Sequence, residues 1–180
     1  HHSYLDTGMF VLDESLELAK AMGPQWDLFM DTLASGGPMG TLHEQGKQAI
    51  LIEHGGNASL KPQEVDKDIS LITDGFLNVL KHFEMIEGEP TYAEKWKRGE
   101  QEALYANHGG LWVPEPDFTL HETMAEGSLV GKIYDPYGEV LEELRTPCKG
   151  EAFGVRTLTR VHTGSWILFH GKVNKILSKR

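Results

Sequence analysis

The sequence predicts an α/β half followed by a β-rich half, on three observations. Ala49–Ile52 is a short apolar run with Glu53 and the pair Gly55-Gly56 behind it. That is the pattern of a strand buried on both faces that ends in a carboxylate at the sheet's edge, where α/β proteins place their chemistry. Val65, Ile69, Ile72, Phe76, Val79 and Phe83 recur at every third or fourth position, predicting one long helix with its apolar stripe against the core. Beyond Glu102 short apolar runs alternate with Pro/Gly turns at spacings near ten residues, the rhythm of a small all-β sandwich or barrel.

The first half reads as follows. Met9–Leu12 is a short extended stretch, and Asp13 a helix cap with Glu14 and Glu17 suited to the positive end of the dipole. That helix runs to about Met22, where Gly23-Pro24 stops it. Gln25–Met30 suits a strand or a short helix, Ser35–Gly40 is a loop by composition, and Thr41–Lys47 a short helix ending at Gly46. The Ala49–Ile52 strand then delivers Glu53. The long helix occupies Leu60–Phe83, with Ser59 as cap and Pro62 in its first turn. Gly88-Glu89-Pro90 closes this half, and the polar stretch Thr91–Glu102 marks the boundary between residues 1–95 and 96–180. In the second half, strands are expected at Leu111–Val113, Leu129–Tyr134, Val140–Leu144, Phe153–Leu158 and Trp166–Phe169. Lys172–Arg180, the one basic cluster, reads as a solvated tail.

Composition narrows the function. At 180 residues, 39% hydrophobic and 24% charged, the chain is globular. A net charge of −10 argues against a nucleic-acid surface, which needs clustered Lys and Arg. No apolar run approaches the ~20 residues that cross a bilayer, and no signal peptide is recognised, so no membrane partner is expected. Cys148, the single cysteine, has no intrachain partner and reads as structural. Its solitude fits a reducing compartment, and a cytoplasmic location is expected. His1-His2-Ser3 reads either as the remnant of a purification tag or as a cut into a longer natural chain.

Nine histidines invite a metal reading that their spacing does not support. There is no H-E-x-x-H, and His43-Glu44 and Glu53-His54 are adjacent pairs that project to different sides. No metal ligand is therefore assigned. Gly36-Gly37 and Gly109-Gly110 lack the strand–loop–helix context of a nucleotide site, and no G-x-S-x-G elbow offers a serine nucleophile.

The order ILIEHGG, FLNVLKHFEMIEG, NHGGLWVPEP, EGSLVGKIYDPYGEVLEELRTPCKG and VRTLTRVHTGSWILF resembles the C-terminal half of the succinylglutamate desuccinylase/aspartoacylase family, from about Met9 to Val173. The resemblance implies a partial mixed-sheet, zinc carboxypeptidase-like layer followed by a small, barrel-sandwich-like β domain. It implies a zinc-dependent amide hydrolase that releases an acyl group from an N-acyl amino acid or a similar small amine. The family's proton-transferring carboxylate stands at a strand end in an E-x-G-G context, which places that role on Glu53. Zinc activates a water in such an enzyme, and the carboxylate takes its proton and hands it to the leaving amine.

The family's upstream H-x-x-E metal pair has no counterpart in this chain. Its later His is preceded by Asp-x, and His1 or His2 falls near that place without the Asp. The chain alone is thus expected to bind zinc weakly or not at all, as the C-terminal part of a larger enzyme. The resemblance implies that the β module overhangs the site; Tyr134 and Tyr137 are candidates there beside equally suited core or turn roles, and of Arg145, Arg156 and Arg160 none is assigned as a carboxylate clamp. The contrasting expectation is a non-catalytic binding or assembly module, a metal-free pseudoenzyme. A lipoyl- or biotinyl-type carrier is disfavoured, because the turn Asp135-Pro136-Tyr137-Gly138 presents no lysine. A truncated sheet would expose an edge, and a homo-oligomer is expected from it.

Overall fold

The computed structural model describes residues 5–26, 28–30, 37–55 and 65–178 of the chain. His1, His2, Ser35-Gly36, Gly56 of the glycine pair and the Ser59–Pro62 helix start lie outside the described residues. The fold is mixed α/β, with more strand than helix. In chain order the elements are β1 (Leu5–Val11), a 3-10 turn (Asp13–Ser15), α1 (Leu16–Lys20), β2 (Leu28–Met30), α2 (Pro38–Glu44), β3 (Ile50–Gly55) and α3 (Val65–His82). There follow β4 (Lys95–Tyr105), β5 (Gly110–Pro114), β6 (Thr123–Met124), β7 (Leu129–Tyr134), β8 (Val140–Arg145), β9 (Gly150–Val155), β10 (Arg160–Val161) and β11 (Trp166–Ser178). No helix is long and apolar enough to cross a membrane among the described residues.

Two compact units divide these elements. The first lies within residues 7–54, 58–100 and 174–180, the second within 1–6, 55–57 and 101–173.

In the first unit the strand order is β3-β1-β2-β4-β11. β1 pairs parallel with β2, Met9 opposite Phe29, and β2 parallel with β4, Phe29 opposite Arg98. Parallel neighbours need crossover connections, and α1 together with α3 supplies them. Met9, Val11, Ala19, Met22, Trp26 and Trp96 form the core, with Leu71, Ile72 and Val79 of α3 packed against it.

The face that α3 buries keeps Ile72 and Val79 of the expected stripe but not its other members. Its buried residues are Gly75 and Asn78, whereas Ile69 is 58% exposed, Phe76 56% and Phe83 45%. The cause is close approach. A Cβ on Gly75 would stand 2.6 Å from Met22 Cε and 3.1 Å from Met22 O, so Met22 would have to move to admit a side chain where α3 meets the segment after α1. Gly75→Ala is accordingly expected to lower stability by about 1 kcal/mol, the overpacking outweighing alanine's gain of helix propensity. A urea titration checks it; a more stable variant would show that the contact has slack.

Two further expectations change. Most of Thr91–Glu102, the polar stretch read as the boundary, is strand and lies in β4. Its charges hide an alternation in which Trp96 is buried and Arg98, also buried, meets Asp13 at 2.6 Å. Asp13 therefore serves as Arg98's partner and makes no side-chain cap. Lys172–Ser178 is not a free tail but the end of β11, with Leu177 packed on the first unit's core.

The second unit is antiparallel. β6, β9 and β11 adjoin in one sheet, and a four-stranded sheet runs β10-β5-β7-β8. Trp112, Val130, Ile133, Leu144, Ala152, Ile167 and Leu168 fill its core. Trp112 is held in orientation by its indole N–H, which donates to Arg156 O at 2.9 Å. β7 and β8 are joined by a tight turn at Asp135–Glu139. The Asp135 carboxylate accepts the N–H groups of Tyr137 and Glu139, and Gly138 adopts a left-handed φ of 93°.

Candidate active site around Glu53

Glu53 lies in the C-terminal half of β3, half-buried, and its side chain makes no hydrogen bond or ion pair with the described residues. Among the described residues no structural bridge holds this half-buried carboxylate.

Both ends of its strand are anchored by polar contacts. Before the strand, Ala49 donates its N–H to the buried Ser15 hydroxyl at 2.9 Å. His43 Nε2 lies 3.2 Å from that hydroxyl and 3.3 Å from Ala49 O, tying α2 and the 3-10 turn to the same point. After Glu53, the His54 side chain turns to the protein: its Nε2 is 2.9 Å from Asp68 Oδ1 in the first turn of α3, and its ring meets Trp26 edge-on at 5.9 Å between centroids. Successive strand side chains point to opposite faces, so fixing His54 on one side sets Glu53 on the other.

Sequence reasoning set aside the adjacent pairs His43-Glu44 and Glu53-His54 as metal ligands. In each pair the structure gives the histidine a scaffolding contact. Asp68 and Ser15 were missed, because nothing in their local sequence signals a partner 14 or 34 residues away.

The other candidates belong to the second unit. Tyr134 is half-buried on β7, opposite Leu111 and Val140, and Tyr137 is 92% exposed at the β7–β8 turn. Arg145 bonds Glu143 and Gly127 O, lowering the Glu143 carboxyl's affinity for protons together with Lys132. Arg156 bonds Arg160 O at 3.4 Å, and Arg160 itself is exposed. Cys148 Sγ lies 3.6 Å from Nδ1 of the fully buried His170. Burial, then the Glu102 charge, raises the thiol's pKa, so Cys148 is no activated nucleophile.

His170 gives a pH expectation. Burial above all holds its pKa below the ordinary 6.5, so on acidification the unfolded chain takes up a proton that the folded chain refuses. Stability should fall as pH drops from about 6.5 towards the folded-state value, by at most about 1.4 kcal/mol per pH unit, and this contribution should be flat above about pH 7.5. Thermal melts between pH 8 and 5, wild type against His170→Phe, check it: the acid-side slope should shrink in the variant.

A zinc site can be tested against the donors at hand. Among the described residues no group of three His, Cys, Asp or Glu side chains stands together so as to hold a metal ion. Glu53 and His54 diverge, and Asp68 is engaged by His54. These residues alone do not fit the zinc that the resemblance implies, since catalytic zinc takes three protein ligands.

Comparison with solved structures shows where this fold occurs. The chain superimposes on a succinylglutamate desuccinylase/aspartoacylase from Rhodobacter sphaeroides with a TM-score of 0.78 and 21% identity, over 97% of this chain and 56% of that one. The ectoine utilization protein EutE (DoeB) from Ruegeria pomeroyi gives 0.78 and 17%, over 93% and 55%. An aspartoacylase family protein from Mesorhizobium loti gives 0.69 and 17%, over 95% and 53%. This chain thus spans about half the length of the structures it matches. No protein-family model and no curated protein sequence matches it. The resemblance read from the motifs is borne out over nearly the whole chain, and the fold is that of the succinylglutamate desuccinylase/aspartoacylase structures.

Proposed function

We propose that this chain forms part of an amide hydrolase that deacylates a small N-acyl amino acid or related amine, with Glu53 as its proton-transferring carboxylate. The observation that carries the reading is the state of Glu53: half-buried, free of any partner among the described residues, on a strand fixed at both ends, in a fold shared with desuccinylase/aspartoacylase structures.

In the proposed reaction Glu53 accepts a proton from the water whose oxygen bonds to the acyl carbon. As the C–N bond breaks, the same carboxyl returns that proton to the amine nitrogen, so the residue ends in its starting form. Placed on a strand rather than a loop, the carboxylate needs little reorganisation between the two transfers. The zinc expected of such an enzyme would draw its ligands from beyond the described residues, and it would supply water activation and carbonyl polarisation.

Assay of amine release from N-acetyl, N-succinyl and other N-acyl amino acids, alongside metal analysis of the same preparation, tests the reading. Turnover that depends on zinc and on Glu53 supports it. The absence of a three-donor set among the described residues favours a second reading, a metal-free assembly module. A natural protein containing this chain that holds no zinc and shows no turnover on the panel would establish the second and end the first.

A further inference from the structure

β3 alternates strictly up to its carboxylate. Ile50 and Ile52 pack on the first unit's core, while Leu51 between them is 40% exposed. His54 therefore falls on the inner side with the isoleucines, and Glu53 on the outer side with Leu51. An apolar residue would suit that inner place, because its neighbour is the indole of the buried Trp26. The chain sets an imidazole there instead. Its side chain is 11% exposed and its Nε2 reaches Asp68 Oδ1 at 2.9 Å. A carboxylate oxygen accepts, so Nε2 carries the proton and Nδ1 is left a bare acceptor, buried and without a partner among the described residues. An unpaired buried nitrogen opposes folding. Stability alone does not account for a histidine at this place, and such local conflicts collect at functional sites.

We propose, on the deacylase reading of Glu53, that His54 and Asp68 are its positioning residues. β3 stands at the edge of its sheet, with β1 as its strand neighbour. Among the described residues the bond to Asp68 is the one side-chain hydrogen bond that β3 makes. It fixes the last inner side chain of an edge strand to α3. Glu53 is the adjacent residue on the opposite face, so a strand end that lifts or twists at His54 carries the carboxylate with it. A misplacement of about 1 Å at a reacting group costs on the order of 100-fold in rate.

Steady-state kinetics and thermal melts test the pair in the natural protein containing this chain, with the N-acetyl or N-succinyl amino acid that it hydrolyses fastest. The variants are His54→Phe, Asp68→Ala, their double substitution, Asp68→Asn and Glu53→Gln. His54→Phe keeps a ring against Trp26 and removes both the tether and the unpaired nitrogen. The expected result is a kcat lowered about 10- to 100-fold in His54→Phe and in Asp68→Ala with KM held, and no further fall in the double variant. Asp68→Asn, which keeps an oxygen for the Nε2–H, should recover most of the Asp68→Ala loss. The thermal midpoint of His54→Phe should equal or exceed that of the wild type. Should His54→Phe fail to fold, Asp68→Ala, at a side chain 39% exposed, carries the comparison. Near-normal kcat in His54→Phe and Asp68→Ala, with Glu53→Gln inactive, would overturn this proposal alone. A normal kcat in Glu53→Gln would overturn the deacylase reading and the proposal with it. A thermal midpoint that falls in step with kcat in both single variants would reduce the pair to a structural brace.

Discussion

Glu53→Gln is expected to lower kcat for amide hydrolysis by 10²- to 10⁴-fold, the usual contribution of a positioned general base and acid. Gln keeps the size and the hydrogen-bonding oxygen of the side chain but removes its capacity to hold a proton between water and amine. KM and zinc content should change little, since the variant alters neither the strand nor any group that binds the metal in this reading. The thermal midpoint should also hold, because the carboxylate has no partner to lose among the described residues. This combination separates a chemical role from a structural one. A near-normal kcat would remove Glu53 from the mechanism, whereas a fall in kcat matched by a fall in stability would point to a scaffolding role instead.

The largest stability loss is expected from a polar residue. Asn78→Leu should destabilise the first unit by about 3 kcal/mol, read from the urea midpoint, although it adds an apolar side chain to a buried position. The Asn78 amide donates to Ala21 O at 2.8 Å and Thr91 O at 2.7 Å, and its carbonyl accepts the Thr91 N–H at 2.8 Å. One side chain thus joins three segments: α3, the end of α1 and the approach to β4. Each lost bond removes about 1 kcal/mol, and the Ala21 carbonyl, in a fully buried residue, is left without a replacement for its donor. A loss below 1 kcal/mol would mean that water takes the amide's place.

Particular residues show how far local sequence reaches. The strand carrying Glu53 was legible in place because Ala49–Ile52 has no polar residue to break it, but not in burial: β3 is an edge strand, Ile50–Gly55, and Leu51 is 40% exposed rather than covered on both faces. The long helix was legible over Val65–His82, and in Ile72 and Val79, which pack on the core, but not in Ile69, Phe76 and Phe83, which are exposed. Ranking apolar residues inward assumes that bulk decides the contact. At the crossing with α1 the available space and an orphan carbonyl decided it, so Gly75 and Asn78 won over Phe76. β4 was hidden because Trp96 and Arg98 are buried amid five charged neighbours. What makes Arg98 a core residue is Asp13, 85 positions away. The chemistry at Glu53 was readable as a location, while the His54–Asp68 and Ser15–Ala49 contacts that steady it depend on pairings with no local signature.

The turn that Asp135 closes has a consequence for the order in which the chain acquires structure. β7 and β8 meet across a five-residue turn, whereas Leu5 must find Gly154 and β2 must find β4 across far longer stretches of chain. Closing a loop costs more entropy the longer it is, and a short turn already shaped by its own carboxylate costs least. The segment from Leu129 to Arg145 is therefore the natural seed on which the second unit assembles, with the parallel strands of the first unit arriving last.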